Sequence, residues 1–504
     1  MVELIELFHL VAQRLPRLIL LLDGVDESSD PESLAASVGS ILHGTKAKAI
    51  LFSRPNIAIL QRNAGGLLRV IDMTPNTVDS DIRRLLKTRL EQFEEGWLPE
   101  NYSTPWAISH LAQSAKGMIL WARLMLDFLT QLHDADARAE AIMTLTQHED
   151  LVSMYLRILR LISGKSLIER NMVKRVILYL SFAHSHLSAK ALWEVVIACD
   201  KPSASPGTQI RYSPDTEALE WFHSSILIRC ASLVERRGDG YAFIHQSVLE
   251  FFWAGVDQSN PGFELDQAVS QFLDPPPIRH QQIVVDCLTY LAKRLHSGPL
   301  SGDSRVKIES QRVEDCLPFA AYAAVKWPIH LQLAAEALTT TSQSALSYPL
   351  AQSYRNLFEA LLMFTANKLA VMTWIELDYT VSHGFEHLDG IQDRYTAVES
   401  LIRDLPLLHQ LRDNATTVHS FFTNMKDLEF QWGSKLRARP NTIWIDVTVW
   451  FESRFLQKTA AVEVYSMKPS SPNSQGLATE PLVVVSKESS DKRFNAVLSI
   501  WPTR

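Results

Sequence analysis

Apolar residues follow two different periods along this chain of 504 residues. Short, nearly unbroken apolar runs at 18–22 and 47–53 predict two buried strands, and the segment between them has helical spacing. Ser28-Ser29-Asp30-Pro31-Glu32 has the residue types of a helix start, so that helix is predicted to run to about residue 43. Another helix is predicted at 3–13, before Pro16, and a further short strand at 67–73. This alternation indicates the tail of a doubly wound α/β domain.

From about residue 77 helical periodicity dominates. Helices are predicted at 81–92, 106–115, 118–133, 138–144 and 151–162. A second group follows at 168–182, 189–198 and 214–224. Two apolar runs, 227–235 and 241–244, come next and are joined by Gly238-Asp239-Gly240, which predicts a β-hairpin. Helices with a single hairpin are typical of a winged-helix module.

Beyond residue 262 the predicted secondary structure is first helical and then, near the end of the chain, made of strands. Residues 262–430 have helical periodicity, broken by Pro275-Pro276-Pro277 and by a polar loop at 297–305, with no convincing fixed repeat. Strands are predicted at 444–450, 461–465, 482–485 and 496–500. Roughly 70 residues of strand and loop are too few for a closed propeller, so an incomplete one is expected.

Composition narrows the class of protein. The chain is 46% hydrophobic and 21% charged, which suits about three or four folded domains. A net charge of −7 without a long basic run argues against nucleic acid as a partner. The four cysteines are widely spaced, which predicts isolated core thiols in a reducing compartment. No signal peptide and no membrane-spanning run is evident, so a soluble cytoplasmic protein is expected.

The candidate chemistry lies at the ends of the first two predicted strands. The run Leu18–Glu27 ends in Asp23, Asp26 and Glu27, and the second run ends in Ser53-Arg54-Pro55. In P-loop NTPases an aspartate at the end of such a strand holds Mg²⁺, which is the Walker B role. The alternative is that these acids only cap the next helix and that Arg54 is a surface residue.

The phosphate-binding loop that should accompany Walker B is not found in the sequence. Its motif, G-x-x-x-x-G-K-[ST], lies upstream of Walker B in this class, and only 22 residues precede Asp23. The one Gly-Lys-Ser is Gly164-Lys165-Ser166, where Leu159 replaces the required glycine. We therefore expect a helix-end turn there, and we expect the chain to start in the middle of an NTPase.

Taken together, the segments resemble fungal NACHT proteins of the STAND NTPase class, NLR-like relatives of heterokaryon-incompatibility and innate-immune receptors. The resemblance covers about residues 1–330. It is carried by five segments in the expected order: the Walker B-like Leu22–Glu27, the sensor-like Phe52–Pro55, the helix Gly117–Leu124, the histidine-bearing Phe243–Phe252, and Leu317–Ala324 before Trp327.

The resemblance implies roles for individual residues. Asp23 would coordinate Mg²⁺, Asp26 and Glu27 would polarise the attacking water, and Arg54 would contact the γ-phosphate. His245 would contact the β-phosphate of ADP, lock the resting state and face the cleft that contains Asp23; its alternative is a core histidine bonded to backbone. The implied cofactor is ATP or ADP with Mg²⁺. Because the P-loop amides and lysine are missing, this chain is expected to bind nucleotide weakly or not at all.

The resemblance also implies an order of domains. They are the C-terminal part of a NACHT nucleotide-binding domain at 1–75, a first helical domain at 76–165, a winged helix at 166–260, a second helical domain with its extension at 261–435, and a β-rich tail at 436–504.

Three functions remain open from the sequence. The first is a signal-transducing nucleotide switch in which ADP holds the domains closed and ATP opens them into an oligomer. The second is a nucleotide-independent helical adaptor that binds other proteins. The third is an ATPase whose P-loop is supplied from elsewhere. Other proteins, including further copies of the chain, are the expected partners.

Overall fold

The computed structural model describes residues 2–15, 17–28, 30–54, 71, 73–145, 150–198, 216–254, 267–295, 298–340, 348–382, 384–385, 412–458, 463–465, 482–489 and 492–499. The chain divides into two compact units, Met1–Arg84 and Leu85–Arg504. It is mostly helical with a few short strands, which confirms the coarse prediction of a mixed, mostly helical fold. The strand predicted at 67–73 lies almost entirely outside the described residues.

The first unit contains the predicted β-α-β arrangement. Its elements are α1 (Val2–Arg14), β1 (Ile19–Leu22), α2 (Pro31–Leu42) and β2 (Lys48–Leu51). The two strands are parallel, with Ile19 opposite Lys48 and Leu22 opposite Leu51. A parallel pair needs a crossover connection, and α2 supplies it.

Local chemistry explains where α2 begins. The side chain of Asp30 accepts a hydrogen bond from the backbone amide of Ser33 at 3.0 Å, and Pro31 occupies the first helical position. Proline has no amide hydrogen, and this costs nothing at the first helical position because an amide there has no acceptor within the helix. The helix start predicted from the sequence is therefore confirmed.

Helices make up most of the described part of the second unit up to residue 254. They are α3 (Pro75–Leu90, which begins in the first unit), α4 (Thr104–Ala115), α5 (Ile119–Gln131), α6 (Ala135–Met143), α7 (Leu151–Ser163), α8 (Leu167–Phe182), α9 (Ala189–Trp193), α10 (Thr216–Arg229) and α11 (Gln246–Ala254). The apolar helix α5 buries Trp121 completely, so this side chain belongs to the core.

A β-hairpin lies between α10 and α11. Its strands are β3 (Val234–Arg237) and β4 (Gly240–Phe243), paired antiparallel. The two-residue loop is Gly238-Asp239, and Gly238 has φ +60, which suits the first position of a type II′ turn. The hairpin prediction is confirmed, but the first run was placed too early. Residues 227–229 still belong to α10.

Gly240 lets the hairpin approach the start of α9. A Cβ atom at this position would lie 2.6 Å from Cε1 of His186 and 2.7 Å from the carbonyl of Leu187. Ala189 donates its backbone hydrogen bond to Asp239 at 2.7 Å. The absence of a side chain is therefore what allows these backbones to meet.

The described residues between 267 and 450 are also mostly helical. They are α12 (Gln267–Ser270), α13 (Pro276–Thr289), α14 (Ser310–Cys316), α15 (Ala320–Thr340), α16 (Tyr348–Ala366), α17 (Lys368–Val381), α18 (Arg412–Ala438) and α19 (Val447–Trp450). The core between them is aromatic. Trp327 and Trp374 are fully buried, with ring centroids 5.6 Å apart.

Two helices widen into π-helical turns. The turn Glu194–Ala198 continues α9, and the turn Tyr290–Arg294 continues α13. The sequence predicts one helix at 189–198, whereas the structure has an α-helix at 189–193 followed by a π-helical turn at 194–198. Such turns hold one extra residue and are frequent at functional positions.

The segment around Trp444 corrects a prediction. Residues 444–450 were predicted as a strand, but a 3₁₀ helix spans Pro440–Trp444 and α19 follows it. The indole of Trp444 donates to the buried carboxylate of Glu376 at 2.7 Å. Burial against the helices overrides the strand preference of these aromatic and β-branched residues.

The strands predicted near the end of the chain are confirmed. They are β5 (Glu463–Tyr465), β6 (Leu482–Ser489) and β7 (Lys492–Ser499). They form an antiparallel sheet in the order β5-β6-β7. Because β5 covers only residues 484–486 of β6, most of that edge of β6 has no partner strand among the described residues.

None of the described helices is long and apolar enough by itself to cross a membrane. One bent pair, Gln352–Ala366 with Lys368–Val381, passes a test of length and composition together, with 90° between its halves.

Candidate functional site

The carboxyl ends of β1 and β2 bring the predicted Walker B and sensor residues to one edge. Asp23 follows β1 directly, and Arg54 comes three residues after the end of β2. Because the strands are parallel, both lie at the same end of the sheet, where open α/β sheets place their ligands. The predicted juxtaposition of Asp23 and Arg54 at this edge is confirmed.

Gly24 makes the turn that follows Asp23. Its φ is +67, and a Cβ atom there would lie 3.0 Å from Oε2 of Glu27. The turn lets Val25 donate its backbone hydrogen bond to Phe52 at 3.1 Å and bury its own side chain. A glycine after the first aspartate is therefore required by the backbone, independently of any ligand.

Asp26 and Arg54 contact each other twice. Oδ1 of Asp26 accepts from the backbone amide of Arg54 at 3.1 Å, and Oδ2 lies 3.2 Å from its Nε. The Arg54 side chain is about half exposed, so the ion pair contributes little stability, about 1 kcal/mol at most. A phosphate that reached Arg54 would compete with Asp26.

Asp23 and Glu27 are exposed at the same edge. Three carboxylates and one guanidinium leave a net charge of about −2, which attracts a divalent cation and repels a bare phosphate. Within the described ranges no three His, Cys, Asp or Glu side chains form a metal site. Mg²⁺ at Asp23 fits the oxygen chemistry, but phosphate oxygens or water would have to complete its octahedron.

The Gly164-Lys165-Ser166 sequence is a helix-to-helix turn, as predicted. Gly164 ends α7, and Ser166 caps α8 by accepting from the amide of Glu169. Nζ of Lys165 donates to the carbonyls of Ile228 and Arg229, each at 3.2 Å. Burial lowers the pKa of Lys165. This lysine thus caps the end of α10.

His245 lies just before α11, and its ring is exposed. Its Nδ1 accepts from the backbone amide of Ser247 at 3.0 Å and lies 2.7 Å from the Ser247 hydroxyl. Because an amide only donates, Nδ1 is the acceptor of this hydrogen bond and the ring N–H lies on Nε2. Nε2 is therefore a donor available to an anion or to water.

Two residues that the sequence reasoning missed hold His245 in place. The hydroxyl of Tyr155 on α7 lies 2.8 Å from the hydroxyl of Ser247. The Ser247 hydroxyl donates its hydrogen bond to Nδ1. Its oxygen is therefore left to accept a hydrogen bond from the Tyr155 hydroxyl. The rings of Tyr155 and Phe251 also pack at 5.3 Å. The chain of hydrogen bonds thus connects the ring of His245 to a buried residue of α7.

Two buried glutamates were also missed. Glu194 and Glu376 are almost completely buried, and burial raises the pKa of each to about 7. One oxygen of Glu376 accepts from the amide of Leu300 and from the indole of Trp444. An acid inside a long apolar run, as in Trp374-Ile375-Glu376-Leu377, is the signal that would have identified these positions.

Comparison with known proteins identified no relative of this chain. No family model matches the chain, and no similar curated protein or solved structure was found.

Proposed function

We propose that this chain is a cytoplasmic signal-transducing protein of the STAND class, in which an acidic sheet edge is the remaining element of a nucleotide switch. The observation that carries the proposal is the parallel pair β1–β2, which places Asp23, Asp26 and Arg54 at one edge. In this assignment the β3–β4 hairpin and the helices around it are the winged helix, and His245 offers Nε2 to phosphate.

The charge at the edge limits what this chain binds. With a net charge of about −2, nucleotide phosphates reach the edge only together with Mg²⁺, whose ligand would be Asp23. The printed sequence has no G-x-x-x-x-G-K-[ST] motif, whose backbone amides form the nest for the β-phosphate in this class. Each charge-assisted hydrogen bond missing from such a nest costs about 1.5–3 kcal/mol. The proposal therefore expects a millimolar dissociation constant for ADP.

Titration of the full chain with a fluorescent ADP analogue tests this assignment. We expect weak saturable binding that requires Mg²⁺ and is lost in Asp23→Asn, while the exposed control Asp81→Asn leaves it unchanged. Low-micromolar binding would contradict the weak-affinity assignment. Binding of equal strength without Mg²⁺ would contradict the role of Asp23.

A second candidate, a nucleotide-independent helical adaptor, is favoured by a specific observation. The lysine of the one Gly-Lys-Ser sequence caps α10, and Arg54 already contacts Asp26. The arginine assigned to the γ-phosphate is thus already engaged within the protein, and the lysine of the Gly-Lys-Ser sequence has a structural role. No detectable binding of Mg²⁺-ADP at several millimolar would favour this adaptor over the switch.

A further inference from the structure

One face of the β1–β2 pair is left uncovered by the described part of the chain. Exposed and half-buried residues alternate strictly from Arg17 to Asp23 and from Lys46 to Phe52. The exposed set includes Ile19 (56%), Leu21 (67%), Ile50 (48%) and Phe52 (55%). Parallel sheets almost always have both faces covered. Among the described residues nothing covers these four apolar side chains, and such a patch marks a site of interaction.

Charge along this uncovered face is polarised. The exposed residues at its amino end are Arg17, Lys46 and Lys48, and those beyond its carboxyl end are Asp23 and Glu27. Arg54, at the carboxyl end, is paired with Asp26. Along the strand direction, the face is therefore basic at its amino end, apolar in the middle and acidic at its carboxyl end.

We propose that this face binds the same face of a second copy of the chain, with the strands of the two copies antiparallel. A twofold axis between the two sheets then places the basic end of one copy over the acidic end of the other. The exposed residues of β1 and its ends are Arg17, Ile19, Leu21 and Asp23. When two copies lie antiparallel, Arg17 of one faces Asp23 of the other, and Ile19 faces Leu21. Isologous interfaces require such self-complementarity.

The size of the patch sets the strength of the dimer. Four side chains exposed by about half offer on the order of 400–500 Å² per copy, below the roughly 800 Å² per partner of a standard interface. The dimer is therefore weak and dependent on concentration. Its ionic ends make it weaker at high salt.

Sedimentation equilibrium of the full chain between 1 and 200 µM at low ionic strength measures this dimer. We expect a monomer–dimer equilibrium that weakens at least tenfold between 50 and 500 mM salt. Leu21→Glu should leave a monomer because it places a charge in the apolar centre. Phe430→Glu is the matched control, since Phe430 is 92% exposed on α18; it should leave the dimer unchanged.

Charge reversal tests the antiparallel arrangement. Arg17→Glu/Lys46→Glu/Lys48→Glu makes both ends acidic, and Asp23→Lys/Glu27→Lys makes both ends basic. Each variant alone should be monomeric, whereas an equimolar mixture should form a heterodimer at least as strong as the original dimer. Circular dichroism establishes that each variant is folded.

A monomeric wild-type chain at 200 µM would overturn the proposal. So would a dimer that survives Leu21→Glu, or a mixture of the two charge variants that stays monomeric. These measurements are made without nucleotide, so their outcome is distinguishable from failure of the proposed switch.

Discussion

The hydroxyl of Tyr290 donates a hydrogen bond to the carboxylate of Glu194 at 2.9 Å, and each of these residues begins a π-helical turn. The backbone amide of Phe319 donates to the same oxygen, also at 2.9 Å. One buried carboxylate thus joins the turns after α9 and α13 to the start of α15. Burial raises its pKa to about 7, although these two hydrogen bonds and the charge of Arg294 act in the opposite direction.

This carboxylate makes stability depend on pH. Since the folded pKa of about 7 lies above the ordinary value of 4.5, the folded protein keeps a proton that the unfolded chain releases between these values. The free energy of unfolding should therefore fall as pH rises from about 4.5 to 7, by on the order of 2–3 kcal/mol for this group. Urea unfolding midpoints should show a smaller fall in Glu194→Gln, and the same fall as wild type in the exposed control Glu220→Gln.

Trp444→Phe should destabilise the second unit. The change removes the indole that donates to Glu376 and leaves that buried carboxylate with one donor fewer, which costs about 1–3 kcal/mol. Thermal melting followed by circular dichroism measures this. Trp450→Phe is the control, because its side chain is about half exposed. Equal melting temperatures of the two variants would show that the Trp444–Glu376 hydrogen bond contributes nothing.

Gly240→Ala should separate the hairpin from the start of α9. The new methyl group would lie within 2.7 Å of the Leu187 carbonyl, so the backbone must move, at a cost of about 1–3 kcal/mol. Gly164→Ala adds a methyl group at ordinary contact distance, 3.5 Å from a carbonyl, and should change stability by less than about 0.5 kcal/mol. Amide exchange at Ala189, which donates to Asp239, should become faster only in Gly240→Ala.

Lys165→Met should destabilise α10 without affecting any nucleotide. The ammonium group caps two carbonyls at the end of this helix, and the loss of such a cap costs about 1 kcal/mol. Lys190→Met, at an exposed position, is the matched control for chemical denaturation. Loss of ADP binding in Lys165→Met with unchanged stability would instead assign a phosphate-binding role to this lysine.

Removal of the sheet β5–β7 should increase solubility. Most of one edge of β6 carries no partner strand in the described part of the chain, and open edges pair with other chains. Residues 1–458 retain Trp444 and its contact with Glu376, so the helical core should remain folded. Light scattering at 100 µM should show less aggregation for residues 1–458 than for the full chain. Equal scattering of the two would contradict an aggregation-prone edge.

The sequence predicted those parts of the fold that depend on local chemistry. The cap at Asp30, the glycine of the hairpin loop and the acidic run after β1 are all properties of a few neighbouring residues. The same holds for Gly164-Lys165-Ser166, where the missing upstream glycine excluded a phosphate loop. Aspartate and arginine at the sheet edge followed from the rule that parallel strands end at the same edge.

Tertiary contacts decided what the sequence could not predict. Residues 444–450 have strong strand preference, yet a helix forms there because Trp444 reaches Glu376 across the second unit. The connection from His245 through Ser247 to Tyr155 joins residues 90 positions apart in the chain. No local pattern distinguishes a tyrosine that donates to such a connection from one that only packs in the core.

The turn at Tyr290–Arg294 has a consequence for any future alignment of this chain. A π turn holds one residue more than an α turn. At the start of the turn Tyr290–Arg294, the apolar stripe of α13 is therefore displaced by one position, or about 100° around the helix axis. A homologue with an uninterrupted helix would match this sequence only with a one-residue gap near position 290. Deletion of a single residue there should therefore be tolerated better than its replacement by proline, because it restores a continuous helix and only loosens the attachment to Glu194.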